Sequence, residues 1–375
     1  MPEKKRQKIC CVFNYASFYR EPIYNEMDKA LECDFFFGDT AFENIKQLDT
    51  QKLKGFKGYI KAKKTPLKGH IWHSGIKHIF NKGYTHYILT GNPKYIINWL
   101  IMLYAALTGK KTYLWTHGLS KQHTGFFDRL YHKMFYTSAT GCLMYNRHNC
   151  RFMEDIGCKK EQLHIIHNSL NSDKQTEIYN RLTPENIYQE HFGNSHPTII
   201  YIGRIQKVKK THHILQALAK LRRQGRIINL VLVGANVDSV EIDKEIKSLE
   251  LQEQVWLYGP CYNEEENSRL IYNAAACVSP GNVGLTAIHS LTYGTPVITN
   301  DNFATQMPEF EAITNGTTGS FFKEDDIDDL ANKIYFWTSA DSSQREECRK
   351  AARKTIENEW NTHYQMRLFK KLFNR

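Results

Sequence analysis

Two α/β domains, each built on a doubly wound parallel sheet, are predicted by three features of this sequence. Its 375 residues, 41% hydrophobic and 24% charged, suffice for about two separately cored domains. In both halves, uninterrupted apolar runs alternate with helix-length segments, the pattern of strands covered by helices on both faces. Between the halves, residues 171–197 turn polar and read as a linker, with a short helix begun by Thr183-Pro184.

In the first half, residues 8–14 read as a buried strand, 15–23 as a loop entering a helix that ends near Leu31, and 33–37 as a second strand. Arg20 is the only cation of that loop and a candidate contact to a phosphate or an acceptor. Residues 87–90 form another strand. The apolar stretch 95–108 is a buried or interfacial helix, since a membrane crossing needs roughly 20 apolar residues and Asn98 interrupts this one. Strand 112–115 then runs into Thr116-His117-Gly118. Ligands of open parallel sheets sit outside the carboxyl ends of the strands, so His117 is placed to reach one. Residues 141–145 add a further strand.

Residues 46–82 contain ten lysines and one acidic residue, Asp49, interleaved with Phe56, Tyr59, Trp72 and Phe80. This cationic segment with apolar anchors fits an anionic membrane surface or a lipid-phosphate acceptor. Arginine is absent from it and no nucleic-acid signature stands elsewhere, so nucleic acid is not the expected partner. The formal charge of +11 also points to an anionic partner. Nine cysteines form no C-x-x-C pair and read as reduced cytoplasmic thiols, while scattered histidines give no metal site. The basic start leads directly into a strand, without the apolar core of a secretion signal. The expected location is cytoplasmic, peripheral at the inner membrane face.

The second half opens with strand 198–202 and continues with strands at 229–233, 255–258, 274–278 and 296–298. Strand 198–202 runs into GRIQKVKK at 203–210, where Arg204 and Lys209 stand five apart before a helix from His212. Strand 274–278 stops at Ser279-Pro280. Gly281 and Gly284 then permit a sharp turn, and a helix follows with Leu285, Ile288 and Leu291 on one face until Gly294 ends it. Its N-terminus exposes unpaired N–H groups and the positive pole of the helix dipole, so the amides of Gly284, Leu285 and Thr286 suit a phosphate.

Gly284-Leu285 with GTPVI at 294–298 resembles the donor-binding core of nucleotide-sugar glycosyltransferases of family 4. So do GR-x4-K at 203–209, VLVG at 231–234, MPEFEAITNGTTG at 307–319, His117-Gly118 and LHIIHNSLN at 163–171. The match covers nearly all of the second domain and is looser in the first. It implies the GT-B fold, two facing Rossmann-like domains with a C-terminal helix, anchored by Trp360, returning to the first. The boundaries then become 1–185 with 355–375, and 186–354. It also implies a retaining, metal-independent transfer of a sugar, between the domains, from a nucleoside diphosphate to a polysaccharide or glycolipid acceptor, with no cofactor.

In that scheme Arg204 and Lys209 hold the donor diphosphate, and His117 lies near the reacting sugar. The family's two glutamates, seven residues apart, are replaced here by Gly281 and His289. Asn282 is expected to contact the donor sugar in place of the first, and His289 the ribose in place of the second. A glutamate restored at 289 should then bind the nucleotide as tightly as the native residue or tighter. The missing carboxylates keep a second class open, a non-catalytic sugar-nucleotide or membrane-binding protein of the same fold.

Overall fold

The computed structural model describes residues 8–39, 46–66, 69–121 and 125–373. They fall into two compact units, Met1–Asn171 with Asn361–Arg375, and Ser172–Trp360.

The first unit is one eight-stranded sheet. Its strands are β1 (Ile9–Phe13), β2 (Cys33–Gly38), β3 (Phe56–Lys64), β4 (Ile71–Ser74), β5 (His86–Thr90), β6 (Lys111–Thr116), β7 (Gly141–Met144) and β8 (Leu163–Ile165). They lie in the order β4-β3-β2-β1-β5-β6-β7-β8, parallel throughout except for β3 and β4. One face is covered by the helices Glu21–Ala30 and Thr362–Leu372, packing Tyr24, Met366, Phe369 and Phe373 on Phe13, Phe37 and Trp115. The other carries the helices Ile96–Leu107 and Phe126–Thr137, whose Ile97, Ile101 and Phe135 meet Leu89 and Leu114. The central strands are buried on both faces, which is why they read as continuous apolar runs.

The lysine-rich segment forms β3 and β4, which the sequence reading leaves out. Strand alternation explains its pattern, since Lys57, Tyr59, Lys61 and Lys63 fall on the exposed side and Ile60 is buried. Exposed Trp72 pairs with Lys63 across the antiparallel edge. The basic residues 4–6 and Lys68 lie outside the described residues.

The second unit is a six-stranded, all-parallel sheet of β9 (Thr198–Ile202), β10 (Asn229–Val233), β11 (Val255–Gly259), β12 (Ala276–Ser279), β13 (Val297–Asn300) and β14 (Gly319–Phe322). Its order is β11-β10-β9-β12-β13-β14, and its core packs Ile199, Leu230 and Val278 against Ile214, Leu218 and Ile334 of flanking helices.

The units divide at 171/172 and 360/361, where the sequence places 185/186 and 354/355. Helix Ser172–Tyr179, read as linker, packs on the helices Glu264–Asn273 and Leu285–Thr292 of the second unit. The terminal helical stretch is two helices, Ser342–Glu359 and Thr362–Leu372, broken where Asn361 turns to cap the second by accepting from the Tyr364 amide at 2.8 Å. Trp360 is buried and is the last residue of the second unit. Phe369 and Phe373 hold the returning helix, set edge-on against the rings of Trp115, Tyr113 and His86.

Candidate active site

β9 and β12 are neighbours, so the loops leaving their carboxyl ends, 203–210 and 280–284, lie together. The two loops are tied at the backbone. The Gly281 N–H donates to the Lys209 carbonyl at 3.0 Å, and the Lys209 ammonium donates to the Asn282 carbonyl and Oδ1 at 2.6 and 2.7 Å. A buried polar network supports them from beneath. Gln306 accepts from the Val283 N–H at 2.7 Å and donates to Thr299 Oγ1 and the Asn300 carbonyl at 3.0 Å each, while Asn300 donates to the Gly281 carbonyl at 2.9 Å. With each donor matched to an acceptor, this network fixes the loop in one shape before any ligand arrives.

Helix Leu285–Thr292 starts from that loop with Gly284 as N-cap, and Thr286 Oγ1 donates to the Ile202 carbonyl at 2.9 Å, holding its first turn against the end of β9. The Gly281 and Val283 amides are taken by Lys209 and Gln306. Those of Gly284, Leu285 and Thr286 have no acceptor among the described residues, and all three residues are partly exposed. A Cβ on Gly284 would meet nothing closer than Met307 at 3.7 Å, so the front of this residue is open. Three converging amides on the positive pole of a helix make an oxyanion or phosphate cradle.

Lys209 lies beside that cradle. Burial of its ammonium, and then the nearby Arg204 cation, push its pKa down to about 8, with Glu309 pulling weakly the other way. Two cations brought together at the open end of a helix favour an anionic ligand. Arg204, Lys209, Gly284, Leu285 and Thr286 thus lie in one neighbourhood of the second unit. The Asn282 side-chain oxygen accepts from Lys209, and its amide nitrogen makes no hydrogen bond among the described residues.

His289 stands one turn into the helix, with Nε2 at 3.0 Å from Glu264 Oε1. A glutamate at 289 would set two carboxylates side by side, a cost the sequence reading does not weigh. Glu264 itself was passed over, because an acidic run at a helix start reads as ordinary dipole compensation.

In the first unit, Arg20 donates to the Tyr145 hydroxyl and its guanidinium lies 5.2 Å from the Trp115 ring centre. The His117 ring meets Tyr145 edge-on at 4.7 Å, and its carbonyl accepts from Asn149 at 2.8 Å. His117 is exposed as a residue. Local desolvation of its ring, and then the Arg20 cation, hold its pKa below the usual imidazole range. Both residues stand past the carboxyl ends of parallel strands, as expected.

Residues 183–355 match the family described as "Glycosyl transferases group 1". The second unit is a group 1 glycosyltransferase domain. No curated protein matches the chain in sequence. Among solved structures it is similar in fold to Anabaena HepE in complex with UDP, at TM-score 0.75 and 14% identity over 98% of this chain and 100% of that one. It is also similar to the lipopolysaccharide outer core galactosyltransferase WaaB, at 0.70 and 15% over 98% and 99%. Sucrose-phosphate synthase of Thermosynechococcus elongatus follows at 0.69 and 16%, over 98% and 100%. The chain has the GT-B fold of these glycosyltransferases.

Proposed function

We propose that this glycosyltransferase moves a sugar, with retention and without a metal, from a nucleoside-diphosphate donor to a polysaccharide or glycolipid acceptor. The observation that carries the donor half is the cradle of three unengaged amides beside Lys209 and Arg204. As the bond from the anomeric carbon to the diphosphate breaks, negative charge gathers on the leaving oxygens, and these groups already point where it forms. HepE, similar in fold, was captured with UDP, UDP and glucose, and UDP-glucose, which makes uridine the first base to test. Arg20 and His117 are assigned to the acceptor, with His117 as a neutral imidazole.

Calorimetric titration with UDP, GDP, ADP and their sugars tests the reading. At 100 times its dissociation constant the right nucleotide should stabilise the protein by about 2.7 kcal/mol. The binding should weaken as pH rises. Lys209 is depressed in the free protein, a bound diphosphate raises its pKa again, and binding therefore takes up a proton above pH of about 8. Affinity should be steady from about pH 7 to 8 and fall by up to tenfold per unit above that. No binding by any nucleotide sinks the proposal. Binding without transfer to any acceptor favours the non-catalytic reading, which the absence of carboxylates at Gly281 and His289 supports.

The acceptor side is assigned to an anionic membrane face. No helix among the described residues is long and apolar enough to cross a membrane. The first unit nevertheless exposes Leu103 and Leu107 of one helix and Phe126, Phe127 and Met134 of the next, each more than half exposed. The helices adjoin through Trp99, which packs on Tyr131 and Phe135. The apolar helix faces suit shallow insertion into lipid, and Lys57, Lys61 and Lys63 of β3, on the sheet face opposite to Ile60, add positive charge to the same unit. Sedimentation with acidic vesicles should be strong at low salt and weaken as the screening length shortens to about 8 Å at physiological ionic strength. Equal binding to neutral vesicles, or none to acidic ones, counts against it.

A further inference from the structure

We propose that Glu264 is the ribose-holding carboxylate of this chain and His289 its positioned partner, so that the function a carboxylate would serve at 289 has moved to another helix. This rests on the nucleoside-diphosphate reading above. Glu264 is the first residue of helix Glu264–Asn273, which begins in the loop after β11, and three side chains converge on its Oε1. These are His289 Nε2 at 3.0 Å, the Tyr293 hydroxyl at 2.6 Å and Gln175 Nε2 at 2.8 Å. Partial burial alone would raise the Glu264 pKa, but the His289 charge and these hydrogen bonds outweigh it and pull it down to about 2. The group is an ionised carboxylate at any working pH.

Two consequences follow from that ionisation. An ionised carboxylate accepts and cannot donate, so His289 must carry its proton on Nε2. The other ring nitrogen, Nδ1, makes no hydrogen bond among the described residues. Glu264 Oε2 likewise receives none, because all three donors go to Oε1. Both side chains keep an open surface, 15% of His289 and 23% of Glu264. A ribose diol offers two hydroxyl donors, and a charged acceptor for one of them makes the stronger bond. The ligand class is a ribonucleotide with free 2′ and 3′ hydroxyls, held one helical turn behind the diphosphate cradle. The Tyr293 hydroxyl and the Gln175 side chain both donate to this carboxylate and hold it in place.

The test compares each ribonucleoside diphosphate with its 2′,3′-dideoxy analogue by calorimetry on the full chain, using whichever base binds. Glu264→Gln keeps shape and loses charge, and should weaken the ribonucleotide about tenfold while leaving the dideoxy form within twofold. His289→Glu should weaken ribonucleotide binding, and His289→Glu/Glu264→Gln, which restores a single carboxylate, should regain at least fivefold over it. The nitrogen spectrum of His289 should show Nε2 protonated in the free native protein and lose that preference in Glu264→Gln. Equal loss for both nucleotide forms, or tighter binding by His289→Glu alone, overturns the proposal while leaving the donor reading intact. Absence of any nucleotide binding by the native chain removes both.

Discussion

Arg204→Ala and Lys209→Ala are each expected to lower turnover by roughly two to three orders of magnitude, the cost of deleting one preorganised charge-stabilising group. Lys209 is held by two oxygens of Asn282 at 2.6 and 2.7 Å, so in the proposed reaction it would already be in place for the leaving diphosphate. The Arg204 backbone is fixed separately, its carbonyl accepting from the Tyr201 hydroxyl at 2.6 Å. Removing either side chain should leave the fold standing, because β9 and its core neighbours are untouched. The two losses should not add, since both groups act on one developing charge. Steady-state rates with saturating donor and circular-dichroism melting decide the matter. Turnover within threefold of native in both variants would show that the charge is stabilised elsewhere.

Much of this was legible in the chain. β1, β9, β10 and β12 are buried on both faces, and such strands must be apolar at every position. A loop joining one of them to a helix and holding Arg204 and Lys209 can only lie at the carboxyl edge of the sheet. β3 was hidden because its alternation is between lysine and small or aromatic residues, so that only Ile60 marks a buried side. β14 is four residues long and follows a run of threonines and glycines, too short for any period to show. Glu264 was hidden for a different reason. Its partners Gln175, His289 and Tyr293 are 89, 25 and 29 residues away, and local pattern carries no information about which distant side chains will meet. The Asn263 cap and the acidic first turn mark a helix start without marking a site.

Gly281→Ala and Gly281→Glu should both damage the donor site, although the second restores the residue type that the resemblance places there. A Cβ at 281 would stand 2.1 Å from the Val208 carbonyl oxygen and 2.7 Å from the Lys209 Cα. These are backbone atoms of the loop that carries Lys209, and they cannot swing aside as the end of a side chain can. The backbone of 203–210 occupies the volume a side chain at 281 would need, and its hydrogen bond from the Gly281 N–H closes the contact. Any side chain must push Lys209 away from Asn282 or lift the 280–284 loop off Thr299, Asn300 and Gln306, leaving buried polar groups unpaired. Overpacking of this kind costs about 1–3 kcal/mol, and each buried polar group left unsatisfied about 1–3 more. For a unit of this size a loss of about 3 kcal/mol lowers the melting temperature by roughly 6–12 °C. Nucleotide affinity should fall with it, because displaced amides no longer converge on one phosphate. The glutamate variant should be the worse of the two, being larger and carrying a charge into a half-enclosed loop. If Gly281→Glu instead melts like the native protein and raises transfer, the loop is able to open, and the site accommodates a carboxylate that this packing forbids.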